Sequence, residues 1–94
     1  MNERHFHIKT GYSIEKVADK YVLMAPAVGD VDYSKMLVLS ESAAFIVNQL
    51  LVGNDNYLSL LEALLAEYNV EETRAREELT SFLSKLEGLR VFEK

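Results

Sequence analysis

His5 and His7 flank Phe6 near the start of the 94-residue chain, with Glu3 close by, and they are its only two histidines. On an extended segment alternate side chains point the same way, so the two imidazoles can converge on one cation. A structural or catalytic site needs at least a third ligand, and nothing in the sequence fixes one. A flexible, solvated N-terminal arm is therefore the expectation for residues 1–11, with no metal or cofactor. The hydroxyls offer no nucleophile either. Seven serines (13, 34, 40, 42, 59, 81 and 84) are spread along the chain without a Gly-x-Ser-x-Gly elbow, and both histidines lie far from them in sequence. Paired carboxylates occur at Glu71-Glu72 and Glu77-Glu78. The first pair suits the opening turn of a helix, where negative charge opposes the macrodipole favourably. Arg74 and Arg76 can bridge to glutamates along the same helix, so a solvated face explains these acids better than acid/base catalysis.

The four glycines (11, 29, 53 and 88) are single and coincide with element boundaries, so no phosphate-cradling loop is present. The net charge is −5, and the imbalance is local. Residues 1–40 hold five acids and five bases, whereas residues 41–94 hold ten acids and five bases. An acidic C-terminal half weighs against nucleic acid, which demands a basic surface to release counterions. There is no cysteine, which excludes disulfides and thiolate chemistry and fits a cytoplasmic protein. No stretch approaches the length of a membrane span, so no membrane partner is expected.

The elements that would carry these residues fall into two groups. Tyr12 to Val17 and Tyr21 to Ala25 read as strands joined by a tight turn. Pro26 ends the second, and residues 27–35 read as a loop. Met36 to Leu39 reads as a third strand without a polar side chain. Ser40-Glu41-Ser42 then supplies helix-capping hydroxyls and an acid for the first turn. Phe45, Ile46, Val47, Leu50 and Leu51 recur at helical spacing until Gly53-Asn54-Asp55-Asn56. A second helix carries Tyr57, Leu61, Leu64, Leu65 and Tyr68. Asn69 with Glu72 resembles a capping box opening a third, whose stripe is Ala75, Leu79, Phe82, Leu83 and Leu86. Gly88 would end it, and Leu89, Val91 and Phe92 would return to the core. Strands first and helices second predict one α+β domain over residues 12–94: a three-stranded antiparallel sheet followed by three helices.

A strand that is apolar on both faces needs cover on both. In a chain this small, part of that cover can come from another molecule, as an extra strand added to an open edge. The leucine-rich run Leu58–Leu65 is likewise wider than one core stripe requires.

The run Val17-Ala18-Asp19-Lys20-Tyr21-Val22-Leu23-Met24, followed by Met36-Leu37-Val38-Leu39-Ser40-Glu41-Ser42-Ala43-Ala44-Phe45, resembles the PqqD-like family. So do Leu64–Glu72 and the closing pattern Glu78-Leu79-Thr80-Ser81-Phe82-Leu83-Ser84-Lys85-Leu86-Glu87-Gly88-Leu89. The resemblance covers about residues 12–92. Its motifs are individually short, and their joint order and spacing are more specific. It implies a winged helix-turn-helix-like domain that recognises the leader segment of ribosomally made precursor peptides. Such a domain presents the leader to a modifying enzyme, often a radical S-adenosylmethionine enzyme. The leader is added beside the third strand and lies against the third helix. Two positions depart from the family's usual residues: Ser40 stands where asparagine is frequent, and Asp19 where glycine is common in the hairpin turn. Residues 1–11 fall outside the resemblance.

On this reading the chain is a non-catalytic peptide-binding module. Met36, Leu37, Val38 and Leu39 would offer main-chain groups to the leader. Arg76, Thr80 and Ser84, spaced four apart beside the Leu79–Leu83 stripe, would flank it; the flank through Ala75 and Leu79 is the alternative. A DNA-binding winged-helix regulator is the competing class, but Arg74, Arg76 and Lys85 on the third helix face Glu71, Glu72, Glu77, Glu78 and Glu87. An open strand edge also predicts a weak, peptide-displaceable homodimer.

Overall fold

The computed structural model describes residues 5–25 and 37–93. Strands β1 (Ser13–Val17) and β2 (Lys20–Met24) form an antiparallel hairpin with Ile14 opposite Leu23 and Val17 opposite Lys20. Ala18 and Asp19 close it. Ala18, not Asp19, takes the left-handed conformation, with φ 57°, so the aspartate carries no such demand for glycine. Strand β3 (Leu37–Leu39) pairs antiparallel with β2, Val38 opposite Val22, and the sheet order is β1-β2-β3. Three helices follow: α1 (Glu41–Leu51), α2 (Tyr57–Glu67) and α3 (Glu72–Gly88). The architecture is the expected α+β order of strands before helices. Met36 and the segment read as a loop lie outside the described residues.

Local chemistry explains the helix boundaries. The Ser40 hydroxyl accepts from the Ala43 N–H at 3.2 Å and caps α1. Asn56 caps α2, its side-chain oxygen accepting from Leu58 N–H (2.9 Å) and Ser59 N–H (3.2 Å). For α3 the capping box fails: the N-cap is Glu71, which makes no side-chain cap bond, and Asn69 lies before it. Helix α3 starts at Glu72, two residues too late for Asn69 to occupy its N-cap.

Both α1 and α3 end in the same way. After α1, Asn54 N–H reaches the Gln49 carbonyl (2.8 Å) and Gly53 N–H the Leu50 carbonyl (3.2 Å), with Gly53 at φ 98°. After α3, Val91 N–H reaches the Leu86 carbonyl (3.2 Å) and Arg90 N–H the Glu87 carbonyl (3.0 Å). These paired bonds satisfy orphan carbonyls and require one left-handed residue past the cap. Glycine fills that position after α1, but Arg90 fills it after α3, at φ 59°. Gly88 is the last helical residue rather than the reversal itself.

The core lies between the inner face of the sheet and the helices. Leu23 and Leu39 meet Ile46, Val47 and Leu50 of α1, Leu60, Leu61 and Leu64 of α2, and Ala75, Leu79, Leu83 and Leu86 of α3 in one buried cluster. Helix α1 packs on all three strands and on α2, which packs on α3. Val91 is buried and Phe92 packs against the core, as expected of the tail, but Leu89 is 51% exposed because the chain reverses at Arg90 just after it. The leucine-rich run is not all core: Leu58 is 51% exposed.

The expectation of a loose arm over residues 1–11 fails for residues 5–9; residues 1–4 lie outside the described residues. Phe6 is buried and its ring meets Phe92 at 5.3 Å between centroids. Phe6 N–H bonds the Asp55 carbonyl (2.8 Å), Lys9 N–H the Val91 carbonyl (2.9 Å) and Glu93 N–H the His7 carbonyl (2.7 Å). Phe6, with Ile8 also packed against the core and bridged to Phe92, docks the extended segment where backbone partners wait on both sides.

Candidate functional site

Strand β3 is an edge of the sheet, and among the described residues nothing pairs with its outer side. An exposed row of main-chain donors and acceptors is a template for another strand. Leu39 is buried and Leu37 half-buried, while Val38 projects from the opposite face and is 62% exposed. Among the described residues, the core covers the face of Leu39, while Val38 on the other face stays open.

The chain leaves β3 through Ser40, whose hydroxyl is engaged at the start of α1 and lies 3.4 Å from that of Ser42. Beside this corner, an open groove of about 400 Å³ runs past Tyr68 and Val70 to Arg74 and Glu78. A second, of about 290 Å³, runs from Ala43 and Ile46 to Ser81, Phe82 and Lys85. Both contain Ser40, Ser42 and Glu78, so together they form one trough between the start of α1 and α3.

Charge in the trough is mixed. Glu41 stands at the α1 end, and Arg74 approaches Glu78 at 3.9 Å. Tyr68 is half-buried, its ring edge-on to Phe45 at 5.7 Å. Burial, then the negative charges of Glu41 and Glu67, raise its hydroxyl above the ordinary value of 10.0. At neutral pH the phenol is a neutral hydrogen-bonding group on an apolar wall.

The sequence-predicted residues divide. Leu37, Val38 and Leu39 stand at the open edge. Leu79 and Leu83 are buried in the core and are not surface contacts. Arg76, Thr80 and Ser84 are exposed but lie on the other flank of the buried stripe from Glu78, Ser81, Phe82 and Lys85, as a helix of 100° per residue requires. Thr80 bonds the Tyr57 hydroxyl of α2 at 3.0 Å, and Arg76 Nε donates to Glu72 at 2.9 Å. Spacing alone showed two flanks on α3; the packing of α1 and α2 decides which flank borders the trough. Tyr68, Glu78, Ser81 and Phe82, which line the trough, were not singled out as site residues from the sequence. For Glu78, Ser81 and Phe82 the available signal was their helical phase on α3, away from Thr80; for Tyr68, at the end of α2, there was none.

Among solved structures the chain is similar to TbiB1, determined in complex with the TbiA(beta) leader peptide. The identity is 22% and the TM-score 0.71, over 93% of this chain and 94% of that one. It is also similar to a lasso peptide synthetase B1 complexed with its leader peptide, at 24% identity and a TM-score of 0.67, over 95% and 96% of the two chains. These likenesses show a shared fold. No curated protein matches the chain. The family described as Coenzyme PQQ synthesis protein D (PqqD) matches residues 20–91, which takes in all of β2 and β3 and all three helices. That span, well over half the chain, makes this protein a member of the PqqD family.

Proposed function

We propose that this chain is a non-catalytic, cytoplasmic recognition module. It binds the leader of a ribosomally made precursor peptide by strand addition and presents the peptide to a modifying enzyme, such as a radical S-adenosylmethionine enzyme. The observation that carries this reading is the open edge of β3 beside the α1–α3 trough. The leader's main chain would pair with Leu37–Leu39, and its side chains would seat between Ser40 and Ser42 on one side and Glu78, Ser81, Phe82 and Lys85 on the other. Both similar structures hold leader peptides, which supports the same class of ligand here. The contacts first expected of Arg76, Thr80 and Ser84 pass to the trough-facing flank. Micromolar affinity requires about −8 kcal/mol, within reach of a few apolar anchors and main-chain bonds. The DNA-binding alternative gains no support: Arg76 is paired with Glu72 and Arg74 with Glu78, which leaves α3 poorly suited to phosphate.

The test is an NMR titration of the labelled protein with the short precursor encoded beside it. Amide signals of residues 37–42 and of Glu78, Ser81, Phe82 and Lys85 should move and saturate. If they stay put at saturating peptide, the groove assignment is wrong.

A further inference from the structure

Docking of the N-terminal segment brings a third side chain to the two histidines. His5 Nδ1 lies 3.2 Å from Asp55 Oδ1, and His7 Nδ1 lies 3.1 Å from Asp55 Oδ2. The imidazoles are stacked, with centroids 6.1 Å apart and planes at 19°. One ligand-capable atom from each of the three residues falls within 4.8 Å of the others. We propose that His5, His7 and Asp55 form a binding site for a zinc-type divalent cation. The site is separate from the peptide trough and independent of the peptide-binding reading.

Three observations carry this. First, the donor set suits the ion. Two imidazoles with one carboxylate select zinc and its late first-row neighbours over calcium or magnesium, which favour all-oxygen cages. Second, the spacing is compatible. Ligand atoms on a tetrahedral ion with bonds of about 2.0–2.1 Å sit about 3.3–3.4 Å apart. Each histidine–aspartate separation, made to its own carboxylate oxygen, is close to such an edge, and since one ligand atom from each residue already lies within 4.8 Å of the others, rotation of the exposed imidazoles would bring the set onto one ion. Third, the cluster is held by the fold. Phe6, between the histidines, is buried, so its neighbours both turn outward on the same side. Its N–H is bonded to the carbonyl of Asp55 itself, and His5 forms a backbone bridge with Asn56, the cap of α2. The histidine side chains are 52% and 62% exposed, so a cation has a direct approach and a fourth position remains for water. A bound cation would clip the first strand-like segment to the α1–α2 corner.

The experiment uses the full chain, stripped with a chelator and moved to chelator-free buffer, and titrates zinc chloride by calorimetry. Histidine-ring nitrogen shifts are followed by NMR in parallel. The expected result is one zinc per chain with a dissociation constant of roughly 1 μM, movement of both imidazoles, and no competition from excess magnesium. His5→Gln, His7→Gln and Asp55→Asn should each weaken binding more than about tenfold. Their amide spectra away from the site should stay native, because these side chains sit at the surface. Zinc should also raise the melting temperature of the native chain, since only folding brings Asp55 to the histidines. Absence of zinc uptake would overturn the proposal and leave the cluster as carboxylate–imidazole hydrogen bonding alone. Equal binding by the three variants would overturn it as well.

Discussion

Single residues in this protein carry strain and charge that can be tested one at a time. Arg90 occupies the left-handed position after α3 that Gly53 fills after α1. A residue with a Cβ pays about 1 kcal/mol for that conformation. Arg90→Gly should therefore stabilise the protein by about 0.5–1 kcal/mol in urea unfolding, provided the same paired bonds persist. Tyr68 gives a pH signature. Its folded hydroxyl titrates above the ordinary value of 10.0, so the folded state keeps its proton after the unfolded chain has begun to lose it. The contribution is fully present below about pH 10 and is lost as pH rises through the folded value. Tyr68→Phe should remove a phenol that titrates above the ordinary value from the ultraviolet absorbance curve and flatten the alkaline fall in stability.

At the scale of elements, the docked N-terminal segment and the α3 flank matter most. Phe6 is the segment's only fully buried side chain among residues 5–11. Phe6→Ala should cost about 3–5 kcal/mol in denaturant unfolding, a large part of what a domain this size possesses. A change within about 0.5 kcal/mol would mean that the segment contributes nothing to the fold. Helix α3 offers a matched pair of substitutions, both at exposed serines. Ser81→Arg places a long side chain in the trough and should weaken leader binding more than about tenfold. Ser84→Arg, on the α2-facing flank, should leave it within about twofold. Both figures follow from the few kcal/mol that steric loss of a central contact carries. The reverse ranking, measured by fluorescence anisotropy, would return the site to the flank of Arg76 and Thr80. Helix phase was legible in the sequence, because apolar residues at Ala75, Leu79, Leu83 and Leu86 fix which side is buried. The choice between the remaining flanks was not, since it depends on how α1 and α2 pack around that stripe.

For the whole molecule, the open β3 edge bears on association. We expect a weak homodimer through that edge, displaced by leader peptide, with sedimentation velocity as the measurement. A monomer at every concentration without peptide would contradict it. Periodicity, capping chemistry and glycine placement by themselves determined the order of three strands and three helices, most of the core stripes and the capping stretches Ser40–Ser42 and Gly53–Asn56, within which the structure selects Ser40 and Asn56. These are local matters of spacing and hydrogen-bonding groups, written within a few residues of one another. Tertiary structure alone decided what depends on distant partners. It placed β3 at the sheet edge with Val38 exposed, turned Ser81 and Phe82 rather than Thr80 toward the trough, and seated Phe6 on Phe92. It also set Asp55 against His5 and His7 across fifty positions of sequence. No periodicity links residues so far apart; only the packing of the core brings them within bonding distance.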